Sequence, residues 1–164
     1  MEEGTVIRQV RETDLERCFE IESLAYAGDE AASREKIARR IHSYPQGFIV
    51  YEKDGAVVGF INSGATHQVL MSDDGFKELI GHDANGQFAV ILSVAVHPEH
   101  QRQGIAGQLM YSFIDAMTRL HKSEIHLMCQ PELLDYYQRF GYRYLQDSAS
   151  EHGGLSWKEM KLDL

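Results

Sequence analysis

The chain has 164 residues, of which 43% are hydrophobic and 25% are charged, and its formal net charge at pH 7 is -9. This length predicts one domain, residues 1–164, with a core that needs neither disulfides nor metal ions. The negative charge argues against nucleic acid as a partner, because phosphate binding requires clustered Lys and Arg. Since no apolar run reaches membrane-spanning length and the first residues form no apolar signal region, we expect a cytoplasmic protein that does not enter a membrane.

The first 64 residues predict a strand, two helices and a β-hairpin. A capping-box pattern, Thr13 to Glu16, marks the start of the first helix, and Ser33 is a suitable N-cap for the second. Asp54-Gly55 is a strong two-residue turn signal between two strands. The predicted elements are a strand at 5–10, helices that start at 13 and at 33, the second reaching about 44, and strands at 48–53 and 56–64.

The second half of the sequence predicts a buried strand, a long helix and three further strands. The run Phe88 to Val96 is apolar except for Ser93, which is typical of a strand covered on both faces. Cys18 and Cys129 have no metal-type spacing and should be buried free thiols. The long helix has apolar residues at helical spacing, namely Ile105, Leu109, Phe113, Met117 and Leu120. The other predicted elements are an irregular insertion at 65–86 with a short helix at 76–80, a strand at 124–129, a short helix at 132–140 that ends at Gly141, and closing strands at 142–145 and 154–162.

The junction between the buried strand and the long helix has the chemistry of an anion site. Gly104, Ala106 and Gly107 keep bulky side chains away from the first helical turn, where backbone N–H groups have no partner inside the helix. Arg102 adds a positive charge beside them. These features predict a site for a pyrophosphate, and the alternative is a glycine required only by a tight turn.

The segment Gln101-Arg102-Gln103-Gly104-Ile105-Ala106 resembles the Gln/Arg-x-x-Gly-x-Gly/Ala signature of the GNAT superfamily of N-acetyltransferases, and a Val-x-Val-His-Pro strand end precedes it as in that family. The resemblance implies an α/β (α+β) fold of the GNAT type, with a mixed central sheet of about six to seven strands, a splayed parallel pair and about four flanking helices. It also implies acetyl-CoA as cosubstrate, bound at Ser93, Val94, Ala95, Val96, Gln101, Arg102, Gln103, Gly104, Ile105, Ala106 and Gly107.

Further segments are similar to the arylalkylamine N-acetyltransferases, namely residues 19–22, 94–97, 127–129 and 136–140. The resemblance implies transfer of an acetyl group to a small primary amine, with an arylalkylamine as the first candidate, by direct attack in a ternary complex. One departure concerns the two central-strand histidines that relay the amine's proton in those enzymes. The matching positions here are Val90 and Leu92, so the resemblance does not supply the general base.

Acyl transfer to an amine also requires a stabilised oxyanion and a proton for the departing thiolate. The segment from Leu133 to Tyr142 resembles the superfamily helix whose tyrosine points at the coenzyme sulfur, and the matching residue is Tyr137. A phenol can donate a hydrogen bond to a thiolate and give up its proton. Packing against Leu133 and Phe140 is the alternative role of this ring. The resemblance implies that main-chain groups near Leu92 to Val94 stabilise the oxyanion.

The general base must come from acidic or histidine side chains near the acceptor. Glu22 borders the apolar stripe of the first helix, either as a solvated edge residue or as a carboxylate that faces the acceptor pocket. Glu30 matches the place where insect relatives of the arylalkylamine group carry a catalytic carboxylate. Asp29, His67 and His82 are further candidates, and a water chain to a remote group is equally open. We rank Glu22 and Glu30 first.

The acceptor pocket is expected among the first two helices, the 65–86 insertion and the buried strand. Tyr26, Tyr44 and Phe88 are candidate aromatic walls, which would suit an amine with an apolar or aromatic body. Two other functions remain open, an N-acetyltransferase for a protein or peptide and a catalytically weak CoA-binding module. The sequence leaves a homodimer and a longer acyl donor open as well.

Overall fold

The computed structural model of the protein describes residues 3–26, 28–71, 74–150 and 152–164. In chain order its strands and helices are β1 (Thr5–Gln9), α1 (Leu15–Ala25), α2 (Arg34–Ser43), β2 (Phe48–Lys53), β3 (Ala56–Thr66), β4 (Phe88–Val96), α3 (Ile105–Arg119), β5 (Glu124–Cys129), α4 (Leu134–Gln138), β6 (Arg143–Asp147) and β7 (Lys158–Asp163). Short 3-10 helices connect several of them, among them Gly28–Glu30 and Asp74–Glu78. No helix in this part of the chain is long and apolar enough to cross a membrane.

The strands form one seven-stranded sheet in the order β1-β2-β3-β4-β5-β7-β6. Among these seven strands only β4 and β5 run parallel, because α3 carries the chain back across the sheet between them. Their pairing covers Phe88 to Val90 against Glu124 to His126 and then stops. The predicted mixed sheet with a splayed parallel pair is therefore confirmed.

A bulge in β4 lies beside the point where the two parallel strands separate. Asn62 of β3 faces Ser93, while the next residue, Ser63, faces Ile91. Leu92 is thus an extra residue without a partner in β3. A bulge bends its strand and re-aims the neighbouring main-chain groups, so it favours the opening between β4 and β5.

Helices cover both faces of the sheet. On one face α3 buries Ile105, Leu109, Phe113 and Met117 in a core shared with α4. On the other face the apolar residues of α1 and α2 pack against β2 and β3. The prediction for Leu120 is wrong, because α3 ends at Arg119 and leaves this side chain 40% exposed.

Local signals in the sequence were confirmed in most places. The Ser33 hydroxyl accepts a hydrogen bond from the Lys36 N–H at 3.2 Å, and Asp54 and Gly55 both have positive φ, as a tight hairpin turn requires. Both cysteines are buried free thiols.

The predicted start of α1 is wrong. The helix begins at Leu15, two residues after the expected cap at Thr13. Its preceding residue, Asp14, uses its carboxylate to accept the Arg11 N–H at 2.7 Å and to pair with Arg8 at 2.8 Å. A strong ion pair with β1 therefore fixes this end of the helix in place of the predicted capping box. The last strand also differs, since it begins at Lys158 after a 3-10 turn at His152–Gly154.

Candidate active site

A cavity of about 200 Å³ opens where β4 and β5 separate. Its walls come from the end of α1, from α2, from the 65–86 insertion, from the two strands and from α4. The ionisable side chains that line it include Glu22, Tyr26, Glu30, Lys36, Arg40 and Tyr137. The splayed strands thus bring together residues that are more than 100 positions apart in the sequence.

Glu22 lines this cavity and is 1% exposed. One carboxylate oxygen, Oε2, accepts a hydrogen bond from the Ala32 N–H at 2.8 Å. The other, Oε1, is buried and has no hydrogen-bond partner among the described residues. Burial raises the pKa of Glu22 above its usual value, and the Ala32 hydrogen bond, the charge of Arg40 and the nearby Ser93 hydroxyl offset only part of that shift. The carboxylate is therefore able to take up a proton within the cavity.

Arg40 is a buried cation beside Glu22 that the sequence analysis did not single out. It is 2% exposed, and its Nη1 donates to Asn62 Oδ1 at 3.3 Å and to Ser93 Oγ at 3.2 Å. Its Nε and Nη2 donate to the carbonyl oxygen of Lys77 at 3.2 and 3.1 Å. Burial lowers the pKa of Arg40 to about 10, against the opposing effect of the Glu22 charge. Arg40 therefore stays protonated at neutral pH and ties α2 to the insertion.

The Tyr137 ring lies on the α4 side of the same cavity and is almost completely buried. It packs edge-on against Tyr136 and Tyr142, with ring centroids 5.1 and 6.1 Å away. Its hydroxyl has no hydrogen-bond partner in the described part of the chain. Burial raises the pKa of Tyr137 well above its usual value, so the phenol keeps its proton. The Tyr137 ring thus packs among its neighbours, which was the alternative role predicted for it. Its hydroxyl is still free to donate a hydrogen bond.

Tyr26 also lines the cavity and bonds to the main chain of β4. Its hydroxyl donates a hydrogen bond to the Val94 carbonyl oxygen at 2.6 Å and accepts one from the Val94 N–H at 3.2 Å. Of the three predicted aromatic walls, Tyr26 alone lines the cavity. Tyr44 lines a separate surface pocket, and the Phe88 ring packs against His126 at 5.9 Å. The prediction was wrong for these two, because Tyr44 packs against His82, with ring centroids 4.7 Å apart, and Phe88 packs against His126 outside the cavity.

The remaining candidates for the base occupy different positions. Glu30 lines the cavity, but its Oε1 accepts a hydrogen bond from the Gln130 side chain at 3.0 Å. His67 is exposed and lies 3.0 Å from Asp83. His82 accepts the Ala65 N–H at 2.9 Å through Nδ1 and does not line the cavity. The side chain of Asp29 lies outside the described part of the structure.

The turn before α3 is open to solvent and suits an anion. Gly104 has φ +78° and stands at the N-cap, and no heavy atom of the described residues lies within 4 Å of where a Cβ would be. No described side chain caps this end of α3. The first N–H groups of the helix therefore have no capping side chain as a hydrogen-bond partner. Arg102 is exposed beside the turn, and the Gln101 side chain donates to the Val96 carbonyl oxygen at 3.2 Å. The residues present therefore fit a pyrophosphate.

A model of the acetyltransferase (GNAT) family matches residues 11–142. This match covers most of the chain, including the Gly104 turn and Tyr137, so the chain belongs to the GNAT family of acetyltransferases.

Individual relatives are distant. The chain is 25% identical over 134 residues to the probable hydrolase YhcX of Bacillus subtilis, an alignment that covers 76% of this chain and 26% of that protein. It is 24% identical over 157 residues to the serotonin N-acetyltransferase of Macaca mulatta, with 92% and 74% covered. The chain thus spans about a quarter of the length of the Bacillus protein.

Solved structures share the fold over nearly their whole length. The loading GNATL domain of CurA from Lyngbya majuscula superposes with a TM-score of 0.87 at 18% identity, covering 97% of both chains. The GNAT-like decarboxylase GphF, solved with isobutyryl-CoA, gives 0.84 at 17% identity and covers 96% of this chain and 98% of GphF. YncA of Salmonella typhimurium, solved with acetyl-CoA, gives 0.70 at 21% identity, with 98% and 94% covered. At these identities the likeness establishes the fold.

Proposed function

We propose that the chain is an acetyl-CoA-dependent N-acetyltransferase for a small primary amine, with an arylalkylamine as the first candidate. The observation that carries this proposal is the placement of an unpaired buried carboxylate, Glu22, and a free phenol, Tyr137, in one cavity at the splayed strands. These are the two groups that acyl transfer needs, one to take a proton and one to give a proton. The whole of residues 1–164 would act as one acetyltransferase domain.

The donor site would combine the Gly104 turn with the opening between β4 and β5. The unpaired N–H groups at the start of α3 suit the pyrophosphate of coenzyme A, with Arg102 beside it. The main chain of β4 from Ser93 to Val96, which no longer pairs with β5, suits the pantetheine arm, and Ser93 and Val94 also line the cavity. That the related fold of YncA was solved with acetyl-CoA supports this choice of donor.

Glu22 would act as the general base. An amine attacks a thioester only when its nitrogen has lost its extra proton, and Glu22 Oε1 is free to accept that proton. The raised pKa of Glu22 suits this role, because the base must hold the proton long enough for the attack. Glu30 would contribute to the negative field that attracts the cationic amine.

Tyr137 would act as the general acid. When the bond between the acyl carbon and sulfur breaks, the sulfur leaves with the electron pair and needs a proton. The Tyr137 hydroxyl can donate it, since no residue of the described chain uses that proton and burial raises the pKa of the phenol and keeps it neutral. Main-chain N–H groups near the Leu92 bulge would stabilise the oxyanion, as the family resemblance implies.

The acceptor side combines acidic and apolar surface. Val90 and Leu92, which replace the histidine pair of the arylalkylamine enzymes, both line the cavity. Leu70 and Ile80 line it from the insertion and are 65% and 63% exposed. An amine with an apolar body fits this combination, and the similarity to serotonin N-acetyltransferase agrees with it.

The test is a thiol-release assay with acetyl-CoA against arylalkylamines, polyamines, amino acids and peptides. We expect turnover of small amines and a loss of about 10²-fold in Tyr137→Phe. Tyr136→Phe is the matched control, because Tyr136 is the neighbouring tyrosine on α4 and does not line the cavity. Turnover of peptides alone would instead support a protein N-acetyltransferase. If nothing turns over while coenzyme A still raises the melting temperature, the chain is a CoA-binding module, and the absence of both effects rejects the proposal.

A second candidate reaction is the decarboxylation of an acyl-CoA that carries a carboxylate. Buried Arg40 and partly buried Lys36, which makes no ion pair within the described residues, give the α2 wall of the cavity a positive charge. The similarity to the fold of the decarboxylase GphF agrees with this. In such a reaction the bond to the carboxylate breaks, CO₂ leaves and a proton takes its place on the carbon.

Malonyl-CoA without any amine tests this second candidate. Mass spectrometry should then detect acetyl-CoA, and Lys36→Gln should slow its formation by about tenfold while leaving acetyl transfer from acetyl-CoA unchanged. Malonyl-CoA that stays intact would exclude decarboxylation of this substrate.

A further inference from the structure

The main-chain groups on one side of β4 lose their strand partner where β5 turns away. Pairing with β5 ends at Val90, so the gap-side N–H and C=O groups further along β4 need other partners. Two side chains provide them. The Tyr26 hydroxyl pairs with both the N–H and the carbonyl oxygen of Val94, and the Gln101 side chain pairs with the carbonyl oxygen of Val96.

A tyrosine hydroxyl and a secondary amide present the same pair of groups to a strand. Each offers one hydrogen donor and one oxygen acceptor. The Tyr26 hydroxyl therefore bonds to the N–H and the carbonyl oxygen of Val94, as an added strand or an extended amide ligand would. The pantetheine arm of an acyl-CoA contains two secondary amides and has to pass through this same opening.

We propose that the Tyr26 hydroxyl competes with the donor: it pairs with the Val94 N–H and carbonyl oxygen in the free protein and is displaced by the pantetheine arm. This inference rests on the proposed function, because it takes an acyl-CoA as the ligand of the opening. Donor binding then replaces two hydrogen bonds of Tyr26 by two of the ligand. The hydroxyl of Tyr26 thus lowers donor affinity and keeps the partly buried main chain paired when no donor is bound.

The position of Tyr26 at the end of α1 allows such a displacement. Its N–H still closes the last helical turn by donating to the Glu22 carbonyl oxygen at 3.1 Å, but its own backbone is already extended. Shortly after it, Gly28 has φ +51°. Rotation about the side-chain bonds of Tyr26 can therefore move its hydroxyl away from Val94 while its N–H still closes the turn that holds Glu22.

The test compares two ligands on three proteins by isothermal titration calorimetry. The ligands are coenzyme A and adenosine 3′-phosphate 5′-diphosphate, which has the nucleotide and the pyrophosphate but lacks the pantetheine arm. The proteins are the wild type, Tyr26→Phe and Tyr44→Phe. Tyr44→Phe is the matched control, because it also removes a hydroxyl from a buried tyrosine, one that has no hydrogen-bond partner in the described structure and lies outside the cavity.

We expect Tyr26→Phe to bind coenzyme A about three- to tenfold more tightly than the wild type, and the nucleotide fragment with unchanged affinity. Tyr44→Phe should match the wild type with both ligands. If Tyr26→Phe does not fold, Tyr26→Leu removes the same hydroxyl and should shift coenzyme A affinity in the same direction.

Unchanged or weaker coenzyme A binding by Tyr26→Phe overturns the inference, and so does an equal gain in affinity for the fragment, since a general change in the protein would then be responsible. In both cases the wild type still binds coenzyme A and the proposed function stands. A wild type that binds neither ligand overturns the proposed function, and this inference with it.

Discussion

Replacing Glu22 with glutamine separates its proton-accepting role from its structural role. The two side chains have nearly the same shape, and a glutamine oxygen can still accept the Ala32 N–H that Glu22 Oε2 accepts at 2.8 Å. What the variant loses is the free Oε1, the atom that would take the amine's proton. Any loss of rate therefore reports on proton transfer.

The expected loss is large because Glu22 Oε1 is a buried carboxylate oxygen in the cavity without a hydrogen-bond partner among the described residues, whereas His152, which also lines the cavity, has its Nε2 3.3 Å from the Glu30 carbonyl oxygen. Positioned general bases contribute about 10²- to 10⁴-fold to rate, and Glu30, the other carboxylate with a described side chain in the cavity, is already bonded to Gln130. We expect kcat/KM of Glu22→Gln to fall by about 10²- to 10³-fold at neutral pH. In the wild type the rate should rise with pH as Glu22 deprotonates, through a pKa above its usual value. This rise of the rate with pH should be absent from Glu22→Gln.

Stability gives an independent check on the same carboxyl. Because its pKa is raised in the folded state, folding favours the protonated form, so this contribution to the free energy of unfolding is complete below the unfolded-state pKa. It is lost as the pH rises through the raised pKa of the folded state, and a tenfold difference between the two acid dissociation constants corresponds to about 1.4 kcal/mol. Glu22→Gln does not titrate, so its stability relative to the wild type should increase over that range.

The assay is a pH series of initial rates with one amine that turns over, together with urea unfolding at the same pH values. The control is Glu20→Gln, a carboxylate two residues earlier on α1 whose side chain is 54% exposed. It should change neither profile. If Glu22→Gln keeps the wild-type rate and the same pH limb, Glu22 is not the base, and the argument from its burial and free oxygen is refuted.

Three further predictions concern the donor site, the core and a histidine. Gly104→Asp should weaken coenzyme A binding at least about tenfold in calorimetry, because it puts a negative charge at the start of α3, whereas Gly154→Asp, which also replaces an open glycine of positive φ, should not. Phe113→Ala should lower the free energy of unfolding by about 3–5 kcal/mol in urea titrations, since the ring is fully buried; a loss below about 1 kcal/mol would contradict the described core. Burial lowers the pKa of His82, so the neutral ring stabilises the fold above its unfolded-state pKa, and this stability is lost as the pH falls through the lower folded-state pKa. His82→Gln should remove that part of the acid dependence of the melting temperature, and an identical dependence in the variant would show that His82 does not contribute.

The strand, turn and helix to which we assign the donor were predictable from the sequence because they are local. The small residues at 104, 106 and 107, the strand that ends at Val96 and the helix that starts at Ile105 are neighbours in the chain. Their geometry follows from strand and helix periodicity and from the left-handed backbone that glycine adopts at low cost. The hairpin at Asp54-Gly55 was predictable for the same reason.

The cavity to which we assign the acceptor depends on contacts between distant segments, which periodicity alone does not describe. The sequence left Glu22 open between a solvated edge and a pocket wall, and only the packing of α1 over the splayed strands buries it. Arg40 gave no signal beyond lying next to an apolar helix stripe, because its role depends on Asn62 and Ser93 in two strands.

By itself the sequence determined the order of strands and helices, the glycine turn before α3 and the tyrosine that matches the family pattern. The tertiary structure decided which carboxylate faces the cavity, which aromatic rings line it and that Tyr26 pairs with Val94 across 68 positions of the chain. The physical reason is that burial and long-range hydrogen bonds depend on where the sheet opens. That opening arises from the bulge at Leu92 and the early end of the pairing between β4 and β5, and neither has a local signature in the sequence.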